Sequence, residues 1–95
     1  MSNLGGVSAG QPADAEIQEL CNKLRADVEK TTGNCAEFKA VSYASQLVAG
    51  TNYFVKVKIS EKEYIHITIY VHLPCDNKPP EITKIQRNKT LADPL

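Results

Sequence analysis

Residues 64–73 alternate without a break. Ile65, Ile67, Ile69, Val71 and Leu73 take turns with Tyr64, His66, Thr68, Tyr70 and His72. Successive side chains of a strand point to opposite faces, so this is a half-buried strand with its odd positions inward. His66 and His72 are then expected on the solvent side. A second alternating run falls within 52–60, where Tyr53, Val55, Val57 and Ile59 oppose Phe54, Lys56 and Lys58. Helical period occurs in one place. Between Pro12 and Lys30, the residues Ile17, Leu20, Cys21, Leu24 and Val28 recur at steps of three and four, with Asp14 as N-cap and Gly33 ending the helix. Cys21 lies on that stripe and reads as core filler. One amphipathic helix and several amphipathic strands must cover each other's apolar faces. The expected class is α+β: an antiparallel sheet of about four to five strands around one helix, its outer face in water.

The remaining segments fit that plan. Phe38 to Ser45 reads as a strand, but Lys39, Ser42 and Ser45 interrupt its alternation and predict a bulge or bend. Pro74 to Pro80 reads as a loop, and Glu81 to Arg87 as a last strand carrying Ile82 and Ile85. The tail from Asn88 to Leu95 has no strong pattern. With 95 residues the chain is read as one domain, 1–95. Its first ten residues hold three glycines and two serines and are expected to form a flexible arm.

Composition excludes several functions. The formal net charge is zero, which argues against nucleic acid or an anionic membrane as the partner. No stretch approaches the roughly 20 apolar residues of a membrane span, and 1–10 does not resemble a secretory leader. Cys21, Cys35 and Cys75 are an odd set, read as free thiols in a reducing compartment. A cytoplasmic location is expected, with the nucleus as an alternative, and the sequon Asn88-Lys89-Thr90 is expected to go unused. No catalytic constellation is legible. His66 and His72 stand roughly 20 Å apart along one strand, too far to share a metal. Cys75 beside His72 lacks an orienting group and an oxyanion hole. Neither metal nor cofactor is expected.

The feature that fold alone does not explain is Gln46-Leu47-Val48-Ala49-Gly50. Ala49-Gly50 suits a tight turn between two strands. Leu47 and Val48 place an apolar pair where a hairpin tip normally meets water, which suggests a binding wedge. Gln-X-Val-X-Gly followed by Thr51-Asn52-Tyr53-Phe54 resembles the first inhibitory hairpin of the cystatins, and of the stefins in particular. The resemblance extends along nearly the whole chain. It includes Gly5, Gln11-Pro12-Ala13 before the helix, Phe38-Lys39-Ala40-Val41-Ser42, Leu73-Pro74 and Asn77-Lys78-Pro79.

That resemblance implies a cystatin fold and reversible, competitive inhibition of papain-like cysteine proteases, the cathepsins of L, S, H and B type. The chain would be an inhibitor and not an enzyme. Three elements would form the wedge: Asn3, Leu4 and Gly5 of the arm, with Gly6 as the alternative glycine; Gln46, Leu47, Val48, Ala49 and Gly50; and Leu73, Pro74 and Cys75. Three features depart from the family pattern. Cys75 stands where stefins commonly carry histidine, the segment around Cys35 is less apolar, and the end Leu91-Ala92-Asp93-Pro94-Leu95 lacks an aromatic residue. A β-branched Val48 at a tight turn implies strain, and so a route from the expected monomer to a domain-swapped dimer. The rival reading is a cystatin scaffold that binds another partner without inhibiting.

Overall fold

The computed structural model describes residues 10–95. Its elements in order are β1 (Gln11–Pro12), α1 (Ala15–Thr32), β2 (Lys39–Val48), β3 (Gly50–Lys58), β4 (Tyr64–Val71), a 3-10 turn (Pro74–Asp76) and β5 (Glu81–Lys89). The strands form one antiparallel sheet in the order β1-β2-β3-β4-β5. The helix lies on one face of it. This is the α+β arrangement expected of a cystatin.

The core follows the two sequence periods. Ile17, Cys21, Leu24 and Val28 are buried from the helix, and Val55, Val57, Ile65, Ile67 and Ile69 from the sheet. Burying one such side chain contributes roughly 1.5–3 kcal/mol, so these rows dominate the stability. Cys21 is fully buried, and burial pushes its thiol up to about 12. It is core filler, as expected, and stays protonated at neutral pH.

Asp14 caps the helix by accepting the Ile17 N–H at 2.9 Å, and the Gly33 N–H closes the other end on Glu29 O at 2.8 Å with φ of 83°. The helix therefore starts at Ala15, as the Asp14 cap requires, and Pro12 and Ala13, counted with the helical stretch in the sequence, lie before it. Pro12 belongs to the edge strand, where Gln11 faces Tyr43 and Pro12 faces Ser42. A residue without an N–H is tolerated at a sheet edge. The bulge expected in the first strand is present, between Ala40 and Ser42. Gln18 fastens it to the helix: its amide donates to Phe38 O at 2.9 Å and accepts the Ala40 N–H at 2.8 Å.

The outer face departs from expectation. Lys56 and His66 were read as solvent-facing, yet they are only 3% and 6% exposed. The cause is the tail. After β5 the chain folds back over the sheet, and the Lys56 ammonium donates to Thr90 O at 2.8 Å, Leu91 O at 2.5 Å and Asp93 O at 2.6 Å. Hydrogen bonds to a charged group contribute roughly 1.5–3 kcal/mol each before the cost of burying the charge. Burial lowers the pKa of Lys56, and Asp93 pulls it back up. His66 pairs with Lys56 across the β3–β4 ladder, and its Nε2 is buried without a hydrogen-bond partner.

That environment disfavours imidazolium. Burial first, then the charges of Lys56 and Lys89, hold the pKa of His66 below its ordinary 6.5, with Asp93 opposing them. A base with a lowered folded pKa takes up its proton on unfolding. Its stabilising contribution is therefore complete above the unfolded value and is lost as pH falls from about 6.5 toward the lower folded value. Urea unfolding across about pH 7.5 to 5 is expected to show stability falling with acidity in that window, and His66→Gln is expected to flatten this part of the profile. Coincident slopes for the two proteins would exclude His66 as the source.

Candidate inhibitory site

The register gathers the two tips at one end of the sheet. Val48 pairs with Gly50, so Ala49 alone turns the β2–β3 hairpin. The strands thus run further into the tip than the sequence reading allowed. Thr51 pairs with Val71, the last residue of β4, and Leu73-Pro74 follows after His72. The edge strand points the same way. Because β1 runs antiparallel to β2, its first residue, Gln11, is the one nearer the end of β2 that carries the tip.

The apolar side chains at this end are exposed, as the wedge reading requires. Leu47 is 81% exposed, Val48 44% and Leu73 41%. Pro74 and Cys75 are exposed beside them, and Cys75 is a free thiol. Gln46 is half-buried and accepts from the Asn52 side-chain amide at 3.4 Å. Leu73 is followed by the 3-10 turn, in which the Asp76 N–H donates to Leu73 O at 2.9 Å, and by Asn77 in the left-handed region at φ of 54°. The stretch expected as a plain loop is therefore locally ordered. Asn3, Leu4 and Gly5 lie outside the described residues, as does the alternative Gly6.

Gly50 is the residue the geometry demands. Its φ is 109°, and a Cβ there would sit 2.5 Å from Val71 O and 2.8 Å from the Tyr70 hydroxyl. The strain anticipated at Val48 is misplaced. Val48 stays in the ladder, and the left-handed conformation falls on the glycine, which adopts it without a steric penalty. The same close approach lets the Tyr70 hydroxyl donate to Ala49 O, bracing the first tip from β4. The brace continues. The Tyr70 ring meets the His72 ring edge-on at a centroid distance of 4.7 Å, and His72 Nε2 lies 2.5 Å from Glu81 Oε2 at the start of β5. The sequence reading treated Tyr70 and His72 as outward strand residues. Their alternation was visible, but their contact with the tip depends on a glycine twenty residues away that admits the phenol.

The brace makes a specific demand on the tip. Gly50→Ala is expected to destabilise the protein by more than about 1 kcal/mol, since it adds a clash with a backbone carbonyl to a φ unsuited to side chains. Tyr70→Phe removes only the hydroxyl and is expected to cost about 0.5–1.5 kcal/mol. Chemical denaturation of both variants checks this. A Gly50→Ala protein as stable as the parent would mean that the tip is not held by β4.

Among the described residues no group of three or more histidine, cysteine, aspartate or glutamate side chains could hold a metal ion. No helix among them is long and apolar enough to cross a membrane. The Cystatin domain family matches residues 5–92. The chain is 45% identical to Cystatin-B of Bos taurus, 44% to Cystatin-B of Pan troglodytes and 42% to Cystatin-B of Homo sapiens. Each alignment runs over 92 residues and covers 96% of this chain and 94% of the relative. By these matches the chain belongs to the cystatin family and is a cysteine protease inhibitor rather than an enzyme.

Proposed function

We propose that the chain inhibits papain-like cysteine proteases of the cathepsin type, inside the cell, by filling the active-site cleft with a three-part wedge. The observation that carries this reading is the cluster of exposed apolar side chains, Leu47, Val48 and Leu73, on two adjacent turns at one sheet end. Leu47, Val48 and Ala49 give apolar contact on one side of the catalytic cysteine, and Leu73 and Pro74 on the other. Asn3, Leu4 and Gly5 run along the cleft, with Leu4 in an apolar subsite. No bond is offered in substrate-like geometry, so the inhibitor blocks without being cut. The two turns are held by ladder pairing and by the Tyr70 brace, and lose little entropy on binding. Cys75 presents a thiol at this surface, where an imidazole is usual in stefins.

The monomer is the inhibitory form in this reading. Exchange of α1 and β2 between two chains would straighten the Val48–Gly50 turn and remove the first tip from the wedge.

Titrating papain with the purified, reduced monomer tests the reading, with hydrolysis of a small substrate as readout. Stoichiometric or nanomolar inhibition is expected. An inactive monomer would favour a cystatin scaffold serving another partner. Leu4→Ala is expected to weaken affinity roughly tenfold to a hundredfold, the equivalent of about 1.5–3 kcal/mol of apolar burial. A change below about twofold would remove the arm from the wedge.

A further inference from the structure

The two tips meet the sheet differently. The first is closed by the pair Val48–Gly50, at the end of a ladder that is unbroken from Ser42. The second has no such pair. Val71 ends the ladder to β3 opposite Thr51, and the ladder to β5 ends at Tyr70–Glu81. Residues 72–80 therefore lie beyond the last pair on both sides. The bonds from Asp76 N–H to Leu73 O at 2.9 Å and from Asn77 N–H to Pro74 O at 3.3 Å close this turn on itself and not on the sheet.

Side chains supply the link. Tyr70 and His72 share a face of their strand, and Glu81, opposite Tyr70, is the diagonal neighbour of His72. His72 donates from Nε2 to Glu81 Oε2 at 2.5 Å. On the other side Tyr70 stands opposite Asn52 and diagonal to Gly50, and its hydroxyl reaches Ala49 O past that glycine. The Tyr70 and His72 rings meet edge-on at 4.7 Å. A row of contacts thus runs from the root of the second tip to the apex of the first: Glu81, His72, Tyr70, Ala49. The His72 side chain is only 12% exposed, against 55% for Glu81. So shielded an imidazole offers a docking partner little surface, and acts through the groups it touches.

We propose that His72 and Glu81 are positioning residues for inhibition: the pair fixes the Tyr70 ring so that its hydroxyl holds Ala49, and so sets Leu47 and Val48 in line with Leu73. The two tips then enter the protease cleft as one unit. This rests on the two tips forming the protease-binding surface. The effect falls on affinity, because a tip left unheld must be ordered on binding.

The test is papain affinity, read on folded protein. Leu47→Ala and Leu73→Ala come first. If either leaves binding unchanged, the two-tip reading itself fails and the coupling fails with it. If both weaken it, the row is tested link by link. Tyr70→Phe keeps the ring and is expected to weaken affinity about threefold to tenfold, the worth of one hydrogen bond. Unchanged affinity would overturn the proposal. Glu81→Ala is expected to weaken binding about fivefold, the upper end for a partly exposed ion pair. In the Tyr70→Phe protein the same change is expected to cost less than about twofold, since the ring no longer holds the tip. Equal losses in both backgrounds would overturn the proposal, because Glu81 would then act without Tyr70. Glu81→Gln restores an acceptor for His72 and is expected to recover most of the loss. A loss as large as that of Glu81→Ala would show that charge toward the protease matters and not the contact with His72. His72→Phe keeps the ring and removes the donor. It is expected to repeat the Glu81→Ala pattern in both backgrounds, and keeps the proposal falsifiable if Glu81→Ala does not fold.

Discussion

Everything else in the fold depends on the contact between the helix stripe and the inner face of the central strands. Among the described residues, Ile17, Cys21, Leu24 and Val28 of the helix and Ile65, Ile67 and Ile69 of the sheet cover one another in one core. Each row is unstable in water alone. Together with Phe38, Val55, Val57 and Ile59 they form one buried core, and hydrophobic burial outweighs chain entropy only by such pooling. Once the rows are joined, the register of the sheet is fixed, because a one-residue slip would turn the isoleucines outward.

That fixed register is what builds the inhibitory surface. The pairs Val48–Gly50 and Thr51–Val71 set the first tip beside the exit of β4, so Leu47, Val48 and Leu73 are presented together. Exposed apolar residues on two turns would ordinarily be mobile and costly to order. Here the Tyr70 hydroxyl on Ala49, its ring on His72, and His72 on Glu81 tie the end together from β3 to β5. Gly50 is the condition for that tie, since any side chain would occupy the space the phenol needs. The glycine of the hairpin motif thus has a structural duty independent of any protease.

The outer face shows a different economy. A sheet with one helix on it has a second face that water can cover, and the alternation of charged and polar residues suggested that it did. Lys56 is instead drawn into a set of three backbone carbonyls, and His66 is enclosed beside it. Lysine suits this role because its stem crosses apolar surface while its head carries three donors. The consequence is a buried cationic neighbourhood in which a second positive charge on His66 is disfavoured.

Local pattern was enough to determine the single helix, its Asp14 cap and Gly33 stop, the inward isoleucines, the bulge near Ser42 and the apolar tip at Leu47 and Val48. Each of these is set by neighbours a few residues away, through the periods of 3.6 and 2 and through turn chemistry. The family resemblance rested on the same local motifs. Tertiary structure alone decided where Pro12 lies, what covers Lys56 and His66, and why position 50 is glycine. Pro12 pairs with Ser42, Lys56 binds residues near 90, and Gly50 makes room for Tyr70. These are contacts between segments distant in sequence, and a lysine or histidine on the polar side of a strand looks the same whether water or a returning tail faces it.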